Sequence, residues 1–315
     1  MRSAFAFLAS LALVTGVGVA ALGSDSVDGR TRASLVGQPG NHSFRPRDAG
    51  EAASRFVSAL YEAREDVTDD GIADPSGGAG LSAQEYPWHP YEGVWTFVRI
   101  HFNDGRSGDL RSFGRRRGFG GDPGWRHDYP TAERNFSKIL NEITYTRALQ
   151  SEYGGNVLEW TDERLFQFPI AYVSEPGEWT VTEEEAEAIR NYLLKGGFII
   201  FDDFTGYAMY NLAEQMARVL PELQFLPLDG SEAIFDSFFK IEPMSIVLPS
   251  YRGARPEWWG LFVDNDKDKR MLIVAGNHSD LGEYWEFSET GYFPVDLSNE
   301  AYKVGVNYIV FAMTH

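Results

Sequence analysis

The sequence predicts an α/β protein whose parallel sheet is covered by helices on both faces. Three observations lead to this class. Strand-like and helix-like segments alternate from about residue 91 to the C-terminus. The central strand candidates are apolar throughout, which is typical of strands buried on both faces. The segments between them carry apolar residues at helical spacing. We therefore expect a flavodoxin-like, doubly wound parallel sheet of about five strands with an added hairpin.

The first predicted elements lie in the segment 94–173. Residues 94–102 are rich in β-branched and aromatic side chains, which favours a strand. Pro130 suits the first turn of a helix, and apolar residues follow it at helical spacing. Two further short strands are expected at 157–160 and 170–173.

A helix and a strand with clear boundaries come next. Thr182 and Glu185 form a capping box, in which each side chain binds the backbone N–H of the other residue. Gly196 ends this helix. The apolar strand 198–201 then runs directly into two aspartates.

The last predicted elements are a helix that stops before Pro221, a hairpin and a closing helix after Asn299. The hairpin strands are expected at 258–263 and 271–275. The acidic turn 264–268 between them lacks the glycine and the distal glutamate of an EF-hand. We therefore expect a solvated turn there rather than a calcium site.

The N-terminal part of the chain carries different signals. Arg2, the apolar run behind it and the small residues that follow have the layout of a secretory leader. We expect residues 1–23 to be a cleaved signal peptide of a periplasmic or secreted protein; an N-terminal membrane anchor is the alternative. Residues 24–90 are expected to be mostly disordered, with one amphipathic helix at about 51–64. The α/β domain is expected to span 91–315.

The composition excludes several classes of function. The chain has 315 residues, no cysteine and a formal net charge of −18. Disulfides, cysteine nucleophiles and thiolate metal sites are therefore excluded. An acidic surface repels nucleic acid and anionic lipid, so we expect no nucleic-acid partner and no stable membrane insertion after cleavage. The expected partner is a small molecule or a cell-envelope protein, and the sequence identifies no cofactor.

Polar residues cluster where predicted strands end. In an open α/β sheet, ligands bind outside the carboxyl ends of the strands. Residues after two strands and in the loop before the first helix are therefore the candidates for binding a ligand. They are Asp202, Asp203, Asn277, His278, Asp280, Glu283, Asp128, Arg134 and Asn135.

Two interpretations of these residues stay open. Asp, Asn and Ser at strand ends often cap backbone groups, and the cluster would then be structural. A histidine beside carboxylates could instead orient a general base or bind a divalent ion, although no metal ligands are assigned from the sequence. The candidates for catalysis are His278, Asp203, Asp280 and Glu283.

Four segments resemble one protein family. Residues 126–136 resemble its W-x-x-D-Y-P-x-A-x-x-N segment, and residues 194–204 its L-K-G-G-F…D-D-F segment. Residues 277–283 resemble the family's N-H-N-x-D-x-G-D segment, and the final A-M-T-H resembles its C-terminal sequence. From about residue 94 onward, the chain therefore resembles the bacterial domain of unknown function 4159.

This resemblance implies a class I glutamine amidotransferase-like fold and no particular reaction. Amidotransferases of this fold use a cysteine on a sharp turn after a strand, together with a histidine. Here that turn would carry Asp202 and Asp203, so glutamine hydrolysis by that route is excluded.

Two functions follow from these observations, and the sequence does not decide whether the chain is an enzyme. The first is an exported, non-catalytic binding or assembly module that lacks the nucleophile of its fold. The alternative is a periplasmic hydrolase, carbohydrate-directed or metal-assisted, that uses Asp203, His278, Asp280 and Glu283.

Overall fold

A computed structural model describes residues 86–102, 124–242 and 255–315. The predicted signal peptide and the predicted helix at 51–64 lie outside the described residues. Within the described ranges, seven strands and five α-helices follow one another along the chain. No helix in this part of the chain is long and apolar enough to cross a membrane.

All seven strands belong to one mixed sheet. They are β1 (Phe97–Ile100), β2 (Gly155–Leu158), β3 (Ile170–Ser174), β4 (Phe198–Phe204), β5 (Leu226–Pro227), β6 (Glu257–Phe262) and β7 (Met271–Asn277). Their order across the sheet is β2-β1-β3-β4-β7-β6-β5. The first five in this order are parallel, whereas β6 and β5 run antiparallel at one margin.

The α/β class is confirmed, but the predicted count of about five strands is wrong. The predicted hairpin is not an addition outside the parallel sheet: β7 pairs with β4 as a fifth parallel strand, and β6 pairs with β7. The two-residue strand β5 then pairs with β6. A strand this short has no periodicity that the sequence could reveal.

Helices cover both faces of the sheet, as predicted. They are α1 (Thr131–Ile143), α2 (Glu183–Leu194), α3 (Tyr207–Val219), α4 (Leu281–Glu286) and α5 (Val295–Thr314). Helices α2 and α3 supply side chains to one hydrophobic core, and α1, α4 and α5 supply the other. Strand β1 contributes to both, because Val98 and Ile100 lie in the first core and Phe97 in the second. The predictions missed α4, whose six residues are too few to show a helical pattern.

The capping box of α2 shows how local chemistry sets an element's boundary. The backbone N–H of Glu185 donates to Thr182 Oγ1 at 3.2 Å, and the N–H of Thr182 donates to Glu185 Oε2 at 2.8 Å. Gly196 follows the helix with a φ of +116°, a conformation that favours glycine. Both predicted boundaries are confirmed.

The carboxyl ends of the parallel strands lie at one edge of the sheet. There Ser174 of β3 is paired with Asp202 of β4, and Phe204 of β4 with Asn277 of β7. The pairing of β4 with β7 shifts register between residues 201 and 204, and Asp203 has a φ of +57°. This irregular strand end aims the two neighbouring aspartates at different partners.

Candidate functional site

Charged side chains from separate segments meet at the carboxyl edge of the sheet. They come from the loop before α1, the ends of β3 and β4, the segment that links β7 to α4, and α4 itself. Three overlapping groups of three residues each place their oxygen or nitrogen atoms within 4.8 Å of one another. We call the whole set the acidic cluster; its members are His127, Asp128, Glu175, Asp203, Asp280 and Glu283.

His127 and Asp203 form the closest pair in the acidic cluster. The distance from His127 Nδ1 to Asp203 Oδ2 is 2.6 Å, and the hydroxyl of Ser174 donates to the same oxygen at 3.3 Å. Burial alone would lower the pKa of His127, but the charges of Asp128 and Asp203 outweigh it and raise that pKa to about 12. The side chain of His127 is 28 % exposed, whereas that of Asp203 is 1 % exposed. The histidine therefore lies between buried carboxylates and solvent.

Asp128 is a buried carboxylate with few partners. Its side chain has no exposed surface, and neither oxygen accepts a hydrogen bond from the described residues. Its Oδ1 lies 3.5 Å from His127 Nδ1. Burial raises the pKa of Asp128 well above its usual value; His127 opposes this rise and Asp203 adds to it.

The packing around Asp128 is tight on one side. A side chain at Gly282, in the first turn of α4, would collide with the carboxylate of Asp128 and crowd the hydroxyl of Tyr172. The close approach of this backbone therefore requires a glycine at position 282. Among the described residues, packing holds this carboxylate in place and no hydrogen bond does.

Asp202 has many partners and a structural role. One carboxylate oxygen accepts the Tyr172 hydroxyl at 2.9 Å and the backbone N–H groups of Leu281 and Gly282 at 2.8 and 3.1 Å. The other accepts the Ser279 hydroxyl at 3.2 Å. A carboxylate at a helix N-terminus satisfies N–H groups that have no partner within the helix. Asp202 thus joins β3 and β4 to the start of α4.

Asp280 also caps the N-terminus of α4. Its Oδ1 accepts the backbone N–H of Glu283 at 2.9 Å, so Asp280 is the N-cap residue of α4. Burial raises the pKa of Asp280 well above its usual value, and the charges of Asp203 and Asp128 add to the rise. The capping interpretation therefore holds for Asp202 and Asp280, while Asp280 also belongs to the acidic cluster.

Arg99 of β1 holds the loop that carries His127, and sequence reasoning missed it. The guanidinium is buried, pairs with Glu133 of α1, and donates to the carbonyl oxygens of Trp125 and His127, each at 2.9 Å. It also lies 5.0 Å from the centre of the Tyr172 ring. A charged residue in the middle of an apolar strand is the signal that could have pointed to it, because such a charge needs a buried partner.

Three predicted ligand-binding residues lie elsewhere or serve the scaffold. Asn277 accepts the N–H of Gly206 at 2.9 Å and donates to Glu257 at 3.0 Å. Asn135 donates to the carbonyl oxygens of Trp285 and Glu286, which ties α1 to the end of α4. The side chain of Arg134 is exposed on α1.

His278 lies at the end of β7 but belongs to none of the three close groups. Its φ is +59°, and its Nδ1 is buried without a hydrogen bond from the described residues. Beside Asp203 the structure places His127 instead, from the loop before α1.

The raised pKa values of Asp202 and His127 predict that the chain, without a bound ligand, loses stability as the pH rises. Burial and the neighbouring Asp203 raise the pKa of Asp202 from 3.8 to about 6, so the folded chain keeps a proton that the unfolded chain has already lost. The stabilisation from this proton disappears as the pH rises through about 6. His127 acts in the same direction, because its contribution is complete below 6.5 and is lost gradually above that value.

Thermal unfolding in a chelator tests this prediction. We expect a higher melting temperature at about pH 5.5 than at about pH 8. The difference should be smaller in Asp128→Asn, which removes one buried charge. It should persist in Asp268→Asn, which removes an exposed carboxylate from the turn between β6 and β7. A melting temperature that rises toward pH 8 would contradict the assignment.

Comparison with known proteins identifies the family. The family described as Domain of unknown function (DUF4159) matches residues 116–313, which is more than half of the chain. This range contains all five helices except the last residue of α5. No curated protein matches the sequence. The matched range includes all six residues of the acidic cluster, from His127 in the loop before α1 to Glu283 in α4. The chain therefore belongs to the DUF4159 family.

Proposed function

We propose that this chain is an exported binding module that holds a small cationic ligand in the acidic cluster. The observation that carries the proposal is the group formed by Asp128, Asp203 and Asp280, whose carboxylate oxygens lie within 4.8 Å of one another. All three residues are at least nine-tenths buried. Within the acidic cluster His127 supplies the basic side chain, so the negative groups outnumber the positive ones. A bound cation would compensate this charge.

The strand order supports a module that lacks the cysteine nucleophile of amidotransferases with the proposed fold. The parallel strands β2-β1-β3-β4-β7 follow the order 2-1-3-4-5 of flavodoxin-like sheets. An amidotransferase-like fold would carry its cysteine on the sharp turn after one of these strands. Asp203 has the positive φ of such a turn at the end of β4, and this chain has no cysteine. The leader-like residues 1–23 support export.

A thermal-shift screen tests cation binding. The chain, freed of metal with a chelator, would be heated with spermidine and arginine methyl ester, with divalent metal ions, and with a neutral disaccharide and ATP. We expect at least one cation to raise the melting temperature through preferential binding to the folded state. That shift should disappear in Asp128→Asn and remain in Asp268→Asn. Stabilisation by ATP or the disaccharide alone, or by no compound, would refute the proposal.

A hydrolase is the second candidate, and one specific contact favours it. The 2.6 Å contact from His127 Nδ1 to Asp203 leaves Nε2 as the ring nitrogen that can exchange a proton with a ligand. Because the raised pKa keeps His127 protonated near neutral pH, its Nε2–H would act as a general acid, with the ring oriented by the carboxylate of Asp203. Turnover of a chromogenic ester or glycoside that is lost in both His127→Ala and Asp203→Asn would establish this function. Turnover that survives both changes would refute it.

A further inference from the structure

We infer that the acidic cluster is a divalent-metal site, with Asp128, Asp203 and Asp280 as carboxylate ligands and His127 as the nitrogen ligand. The inference rests on the proposed function and names its ligand class. Ligands on opposite sides of a metal ion, at about 2.1 Å each, are about 4.2 Å apart. The ligand oxygens of the three carboxylates lie within 4.8 Å of one another, close to this spacing.

Asp128 supplies an independent reason to place a ligand here. The residue is 6 % exposed, and both of its oxygens lack a hydrogen bond from the described residues. One of these oxygens belongs to the close group with Asp203 and Asp280, so the carboxylate is directed into the cluster. Buried carboxylates are normally paired, hydrogen-bonded or bound to a metal. A purely structural aspartate would have acquired donors, as Asp202 has.

Two of the other ligands lie on secondary-structure elements, and the third is on a loop held by a hydrogen bond from the buried Arg99. Asp203 is at the end of the central strand β4, and Asp280 is the N-cap of α4. His127 is held by its own carbonyl oxygen, which accepts a hydrogen bond from Arg99. Ligands on rigid elements lose little conformational entropy when an ion binds. This preorganisation favours a site over a chance cluster of acidic groups.

The ligand types select among metal ions. Carboxylate oxygens suit Mg²⁺, Ca²⁺ and Mn²⁺, and an imidazole nitrogen adds affinity for transition metals. The chain has no cysteine that would favour softer ions. We therefore expect Mn²⁺ to bind more tightly than Mg²⁺ or Ca²⁺.

Isothermal titration of the full chain with Mn²⁺, after treatment with a chelator, tests the inference. One ion should bind per chain. Asp128→Asn and Asp203→Asn should each weaken binding roughly tenfold or more, because each removes a charged ligand. Asp268→Asn, with the same change of charge on the exposed turn, should bind as the wild type does. Wild-type affinity in Asp128→Asn would overturn the ligand assignment.

Thermal unfolding of Asp128→Asn in the presence of a chelator shows whether weaker metal binding in this variant comes from a less stable fold. Asp128→Asn should melt at or above the temperature of the wild type at about pH 8, because it removes a buried charge to which none of the described residues donates a hydrogen bond. A lower melting temperature would mean that Asp128 is structural and would overturn the inference. If organic cations stabilise the chain and Mn²⁺, Mg²⁺ and Ca²⁺ do not, the metal site is refuted and the proposed cation-binding function stands. If no cation of either kind binds, both are refuted.

Discussion

Replacing Arg99 by methionine is expected to lower the melting temperature by roughly 10 °C. The change leaves Glu133 as a buried charge without its cation and removes the donor to two carbonyl oxygens. Breaking a buried ion pair in this way costs about 3–5 kcal/mol. In a domain of this size each kcal/mol shifts the melting temperature by about 2–4 °C. Thermal unfolding followed by circular dichroism measures the effect.

A second variant separates stability from positioning. Arg99→Met combined with Glu133→Gln removes the uncompensated charge, so much of the lost stability should return. Cation binding should stay weak, because the carbonyl oxygens of Trp125 and His127 still lack their donor and the loop is no longer held. Wild-type affinity in the double variant would show that Arg99 does not position His127.

Arg164→Met is the matched control for these changes. Arg164 also pairs with an aspartate, Asp162, and lies 4.6 Å from the centre of the Trp88 ring. Its side chain is 36 % exposed, however, and exposed pairs contribute about 1 kcal/mol or less. We expect its melting temperature to change by only a few degrees.

Replacing Asp202 by alanine is expected to have a comparable effect for a different reason. Four donors then lose their acceptor inside the protein: the hydroxyls of Tyr172 and Ser279 and the N–H groups of Leu281 and Gly282. At about 1 kcal/mol or more for each buried donor, the loss is roughly 4 kcal/mol. The start of α4 should become less ordered, and amide hydrogen exchange at residues 281–283 should increase.

Asp202→Asn is the informative comparison, because it keeps an acceptor oxygen and removes the charge. Since burial and Asp203 raise the pKa of this carboxyl group, losing the charge costs little at about pH 8. We therefore expect Asp202→Asn to melt much closer to the wild type than Asp202→Ala. Equal destabilisation by the two changes would mean that the charge, and not the acceptor, stabilises this junction.

The sequence predicted those parts of the fold that depend on neighbouring residues. The capping box at Thr182 and Glu185 is formed within one helical turn, and the apolar run at 198–201 reports burial on both faces directly. Such patterns are set by interactions over a few residues. They identified the α/β class and the strand-end location of the acidic residues. They gave no information about β5 or α4, which are too short to carry a pattern.

The choice of partners within the site depended on tertiary structure. His127 and Asp203 are 76 residues apart in the chain, whereas sequence reasoning chose His278 for the role beside Asp203. Asp202 and Asp203 are neighbours with the same side chain, yet one accepts four donors and the other contacts the histidine. Successive side chains of a strand point to opposite faces, and Asp203 also has a positive φ beside a register shift, so the two aspartates meet different segments.

The sequence alone was therefore enough to predict the layered architecture, both ends of α2 and the edge of the sheet where polar groups collect, but it missed α4 and placed the start of the last helix after Asn299 instead of at Val295. The folded chain was needed to show that Arg99 holds the His127 loop, that Asp202 accepts four hydrogen bonds, and that the oxygens of Asp128 accept none from the described residues. The physical reason is the range of the interactions. Propensity and capping act between residues that are close in sequence, while the partners of a buried charge come from whichever segments the packing brings next to it.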